Sequence, residues 1–108
     1  MRLTPILLKH AEHLLSELLR SPFAADSVVS RYFRQHRELG HKDRAFVAET
    51  VYAVLRRKRS LSACCLDEVT SRRLVLAVLA CAQGLNRREL EPVIGEPEGK
   101  WLARAKAV

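Results

Sequence analysis

The chain has 108 residues, 48% of them hydrophobic, and carries a net charge of +7 at neutral pH. This is one domain's length with enough apolar side chains for a core, so it needs no staple, and Cys64, Cys65 and Cys81 read as buried small hydrophobes in a reducing compartment. A membrane span is excluded because the longest apolar run, Leu74–Ala82, falls far short of the roughly 20 residues required, and Lys9, His10, Glu12 and His13 interrupt the place of a secretory h-region, so the chain reads as cytoplasmic.

The pattern is helical throughout and predicts an all-α fold, a compact bundle of about five to seven helices forming one domain over residues 1–108. No period-two alternation bounded by turn residues appears. Thr4 caps the first helix and Pro5 takes its first position. Leu7, Ala11, Leu14, Leu15 and Leu18 then form one face, and Ser21-Pro22 ends the helix.

A second helix is predicted from about Ala25 to Glu38, with Val28, Val29, Tyr32, Phe33 and His36 as its inner stripe and Gly40 as its C-terminal glycine. Arg31, Arg34 and Arg37 recur every third residue on another face. The third helix is predicted from about Lys42 to Arg57, its core stripe being Phe46, Val47, Thr50, Val51, Val54 and Leu55. Asp43 stands in its first turn and Arg56, Arg57, Lys58 and Arg59 at its end, where the helix dipole favours each sign.

A short helix follows from about Leu61 to Leu66. Asp67-Glu68 stand where carboxylates would cap the next helix, Arg72 to Gln83, which Gly84 closes. Asn86 with Glu89 resembles a capping box for another short helix. Glu91–Gly99, with two prolines and two glycines, reads as loop, and a last helical turn or two covers Lys100–Ala107. Trp101–Val108 is still competent for helix, which reads as a domain cut from a longer protein.

The usual catalytic patterns are absent from the sequence. Its four glycines form neither G-x-G-x-x-G nor a Walker motif, so no Rossmann-type nucleotide or S-adenosylmethionine site is predicted. The cysteines lack C-x-x-C spacing and an activating setting. His10 and His13, at i and i+3, are spaced to share a metal, but beside Glu12 and Glu17 they read as a solvated helix face, and no metal site is assigned.

The charge is the remaining signal. Residues 1–30 are net neutral and residues 60–108 carry +1, so residues 31–59 hold +6. Arg31, Arg34, Arg37, Lys42, Arg44, Arg56, Arg57, Lys58 and Arg59 supply it, and this concentration points to RNA phosphates as the partner. Arginine suits bidentate phosphate contact. Arg56 has a second reading, as a structural pair for Asp43 or Glu49. Tyr32, Phe33, Phe46 and Tyr52 all read as core, which predicts recognition through backbone and shape rather than base stacking.

Three pieces of this segment carry a resemblance: Arg34-x-x-Arg37-x-Leu39-Gly40, Lys42-Asp43-Arg44-Ala45-Phe46, and Glu49-Thr50-Val51-Tyr52-Ala53-Val54-Leu55-Arg56. They resemble the N-terminal domain of the RsmB/Sun family of bacterial ribosomal-RNA (cytosine-5) methyltransferases. Met1–Leu19 and Arg72–Leu90 are compatible with the same family. The resemblance implies a NusB-like helical bundle that binds ribosomal RNA and presents it to a catalytic domain further along the same polypeptide. It also implies that S-adenosylmethionine and the catalytic Pro-Cys and Thr-Cys motifs belong to that downstream domain. Neither dipeptide occurs here, so Cys64, Cys65 and Cys81 match no catalytic position and the chain is read as non-catalytic in itself. Two other functions stay open at this point. One is a free-standing antitermination factor of the NusB type. The other is a docking module whose basic face meets protein.

Overall fold

In the computed structural model, the described residues are 3–65, 68–82, 84–85 and 87–106. Among them the fold is all-α, with seven helices: α1 (Pro5–Arg20), α2 (Ala25–Gln35), α3 (His41–Arg56), α4 (Lys58–Cys64), α5 (Ser71–Ala77), α6 (Arg87–Leu90) and α7 (Glu96–Lys106). The molecule measures 37 × 28 × 19 Å. None of these helices is long and apolar enough to cross a membrane.

The local signals act where predicted at the start of the chain. The Thr4 hydroxyl accepts from the Leu7 amide at 3.2 Å, and the Ser21 amide closes α1 by donating to Glu17 O. Leu7, Leu8, Ala11, Leu14 and Leu15 of α1 are buried against α2, α3 and α5. From α3, Val47, Thr50, Val51, Ala53 and Val54 enter the same core, while Phe46 and Leu55 lie half-buried at its edge. Thr50 is the one buried polar side chain among the described residues, and its hydroxyl donates to Phe46 O one turn back at 2.8 Å.

Helix α2 stops at Gln35, three residues before the predicted end. His36 leaves the helix at φ −123°, ψ 67° and stacks on the Tyr32 ring, with centroids 4.1 Å apart. The early exit lets the chain turn, with Leu39 N donating to His36 O, and buries Leu39. Gly40 is therefore not a left-handed terminator of α2. Its φ is −73° and it stands at the N-cap of α3.

The short helix begins at Lys58 rather than Leu61, with Arg57 as the single hinge residue after α3. The predicted end of this helix, Leu66, lies outside the described residues. So does Asp67, and the cap before α5 is instead Thr70, whose hydroxyl accepts from Arg73 N at 3.1 Å. Leu74 to Ala80 are all buried, as their apolar run predicts. After Ala77 the chain widens into a π-helical turn, Val78–Ala82. Gly84, at φ 72°, follows in the left-handed region that favours glycine, and Leu85 N reaches back to Leu79 O at 2.9 Å. Cys65 is buried as expected, Cys81 is exposed because its position on the π turn faces outward, and the Cys64 side chain lies outside the described residues.

The largest departure from the sequence expectation is α7. It begins at Glu96, inside the stretch read as loop, because Pro97 occupies its first turn, where a missing amide costs no helical hydrogen bond. Glu98 Oε1 accepts from Gly95 N, and Gly99 N donates to Gly95 O. These contacts start the helix that buries Trp101, Leu102 and Ala105 against α5 and the π turn. Asn86, the proposed cap of α6, lies outside the described residues.

Candidate nucleic-acid interface

The predicted basic residues fall on a frame set by α3. Arg31 and Arg34 stand on α2 and Arg37 on the connection after it, all exposed; Lys42 is exposed in the first turn of α3. Arg56 ends α3, Arg57 is the hinge, and Lys58 and Arg59 open α4, again all exposed. Lys42 and Arg56 are fourteen residues apart, which at 1.5 Å per residue is about 21 Å along the helix. The same spacing is about 3.9 turns, so the two side chains leave nearly the same face of α3. The exposed positions Lys42, Ala45, Glu49 and Arg56 lie on that face. The fold thus does not merge the basic residues into one cluster. It sets Lys42 and Arg56 at opposite ends of α3, with the exposed carboxylate of Glu49 midway and the buried Ala53 between Glu49 and Arg56.

Arg44 is placed differently from the rest. Its Nε donates to Leu39 O at 3.0 Å, its Nη2 to Phe33 O at 3.4 Å, and its guanidinium lies 5.8 Å from the Phe33 ring centroid. Those contacts hold the α2–α3 turn. Arg56 takes the opposite course: among the described residues no ion pair joins it to Asp43 or Glu49.

The position of the 56–59 run also changes its electrostatic meaning. Only Arg56 lies in the last turn of α3, where the dipole favours positive charge; Lys58 and Arg59 lie in the first turn of α4, where the dipole disfavours it. Helix stability therefore does not account for the whole run.

Sequence reasoning passed over one aromatic residue. Phe23, in the α1–α2 connection, is 66% exposed and borders a shallow groove with Arg20 and Arg31. The adjacent Pro22, which keeps this segment out of a helix, was the available signal. By contrast, Tyr32 is buried, Phe33, Phe46 and Tyr52 are half-buried, and the Tyr52 hydroxyl donates to Asp26 Oδ1, tying α3 to the start of α2. That hydrogen bond, with burial second, pushes the Tyr52 phenol up to about 12.

The histidines are grouped by the fold rather than by sequence spacing. His10 Nδ1 lies 2.7 Å from the Tyr32 hydroxyl, and its ring meets His36 edge-on at 5.1 Å. Burial, then the neighbouring His36, lowers the His10 pKa below its ordinary 6.5. His13 faces solvent instead.

Compared with models of protein families, with curated proteins and with solved structures, the chain matches none.

Proposed function

We propose that this chain is an RNA-binding helical domain of the cytoplasm, accessory to an S-adenosylmethionine-dependent ribosomal-RNA cytosine-5 methyltransferase. RNA phosphates are held at the two ends of α3, by Arg31, Arg34, Arg37 and Lys42 at one end and Arg56, Arg57, Lys58 and Arg59 at the other. Arg44 supports the first group by holding the turn that carries Arg37. The observation that carries this reading is the exposure of the whole 56–59 run, half of it where a helix dipole opposes its charge. Such a run is explained by an anionic partner better than by helix stability. The sequence resemblance selects RNA as that partner and a methyltransferase domain as its neighbour.

S-adenosylmethionine belongs to that neighbour in this reading. A Rossmann-type cofactor site is built where strands end in a glycine-rich loop. The described residues form no strand, so they do not build a site of that type, and none is assigned to the cofactor.

The test is RNA affinity measured against salt for the whole chain and for a variant with Arg56, Arg57, Lys58 and Arg59 changed to glutamine. Each phosphate contact contributes roughly 0.7–0.9 to the slope of log affinity on log salt, so the slope of the variant falls by about 3. An unchanged slope removes this run from the interface.

A further inference from the structure

His10, His36 and Glu38 meet where α1 faces the α2–α3 connection. Each offers one ligating atom, and these atoms all lie within 4.8 Å of one another. The two imidazoles are half-buried and the carboxylate is exposed. His36 Nδ1 is already 3.4 Å from Glu38 Oε2.

Tyr32 orients both rings. His36 stacks on its face with planes 28° apart, and His10 Nδ1 is hydrogen-bonded to its hydroxyl. With Nδ1–H donating to that oxygen, Nε2 is the His10 nitrogen left to ligate. This is the outer hydrogen bond that fixes a metal-binding imidazole. A groove of about 390 Å³, lined by His13, Ser16, Glu17, Arg20, Tyr32 and His36, opens beside the cluster. It gives a path of entry and room for a water ligand.

We propose that His10, His36 and Glu38 form a binding site for a divalent metal of the zinc type, which fastens α1 to the α2–α3 connection. Two imidazole nitrogens and one carboxylate suit zinc and its transition-metal neighbours rather than magnesium or calcium. Bonds of 2.0–2.2 Å bring tetrahedral ligand atoms to about 3.4 Å from one another. The remaining closure needs small rotations of the half-buried imidazoles together with the exposed Glu38 side chain. The site stands on these three side chains and does not depend on the RNA reading.

The experiment uses the full chain, stripped with a chelator and titrated with Zn²⁺ by calorimetry and with Co²⁺ by visible absorption. One ion per chain is expected, with the d–d bands of a low-coordinate Co²⁺ site. Glu38→Gln, an exposed change that leaves the fold intact, weakens Zn²⁺ binding at least about tenfold. His36→Asn abolishes the Co²⁺ bands, and His41→Asn, which alters an exposed histidine outside the cluster, changes neither readout. Absence of the bands in the unaltered chain, or equal Zn²⁺ affinity in the chain and in Glu38→Gln, overturns the site.

Discussion

The arginines at the start of α5 are used in the opposite way to those along α2 and at the α3–α4 junction. Along α2 and α3 and into α4, Arg31, Arg34, Arg37, Arg56, Arg57 and Arg59 point to water. At the start of α5, Arg72 and Arg73 turn inward. Arg72 grips both oxygens of Glu98, at 2.6 and 2.9 Å, donates to Val93 O at 2.8 Å and lies 3.7 Å from Glu12. Arg73 donates to Cys65 O at 2.8 Å and to Glu68 O, and covers the Trp101 ring at 5.0 Å. The difference follows from what each region must bury. Helices α1 and α3 pack mainly aliphatic faces, whereas the short C-terminal helices add polar links to the buried Trp101, Leu102 and Ala105. Arg72 and Arg73 are therefore structural, while Arg31, Arg34, Arg37, Arg56, Arg57 and Arg59, like Arg88 and Arg104 in the C-terminal half, stay exposed.

The sharpest way to break this contrast is through stability. Arg72→Ala removes a bidentate pair and a carbonyl contact, and should cost about 2 kcal/mol after allowing for screening at a partly exposed guanidinium. Arg57→Ala should stay within about 0.5 kcal/mol of the parent. Denaturant melts of the two variants check this, and equal losses would dissolve the distinction. The same pair sets an acid limb. The hydrogen bond from Arg72 holds the Glu98 carboxyl below its ordinary 4.5, with burial opposing. The unfolded chain therefore takes up this proton first. The pair's contribution is complete above the unfolded value and disappears as pH falls through the lower folded one. Glu98→Gln should flatten that part of the pH–stability curve.

Arg44 belongs with Arg72 by its contacts and with Lys42 by its sequence. Arg44→Ala should cost about 1 kcal/mol for the lost hydrogen bonds to Leu39 O and Phe33 O, while leaving the salt slope of RNA binding nearly unchanged. A slope reduced by a full phosphate contact would return Arg44 to the interface.

How much of this was legible in the sequence depended on the range of the interaction. Caps such as Thr4 and Pro5 act within one turn, so α1 was readable to the residue. Most of the apolar stripes of α1 and α3 was equally readable, because burial follows helical period, although Leu8 and Ala53 are buried outside the predicted stripes and Leu18, Phe46 and Leu55 are half-buried. The inward turn of Arg72 was not, since its partner Glu98 is brought close only by the fold. The same holds for α7: Pro97 and Gly99 read as loop, whereas Pro97 fits the first turn and the burial of Trp101 and the grip on Glu98 hold the helix. For the site, the basic residues were legible as a list and their division was not. Nothing local shows that α2 ends at Gln35, that Arg44 folds back, or that His10 meets His36 rather than His13.

The smallest effect is the most specific test of the α3 face. Glu49 lies seven residues from both Lys42 and Arg56, about 10 Å along the axis in each direction. It is the one acidic residue on the face it shares with Lys42, Ala45 and Arg56. A carboxylate there repels any phosphate chain passing from one basic group to the other. Removing one charge at 10 Å in water changes affinity by about twofold, and a Debye length near 10 Å at 0.1 M salt suppresses that change as salt rises. Glu49→Gln should therefore tighten RNA binding about twofold at low salt and have no effect at high salt. Glu68→Gln, an equal change of charge in the C-terminal half, should do less at any salt. If the two variants behave alike, the gain comes from net charge and RNA does not run along α3. If only Glu49→Gln responds, the two basic groups act as the ends of one binding track.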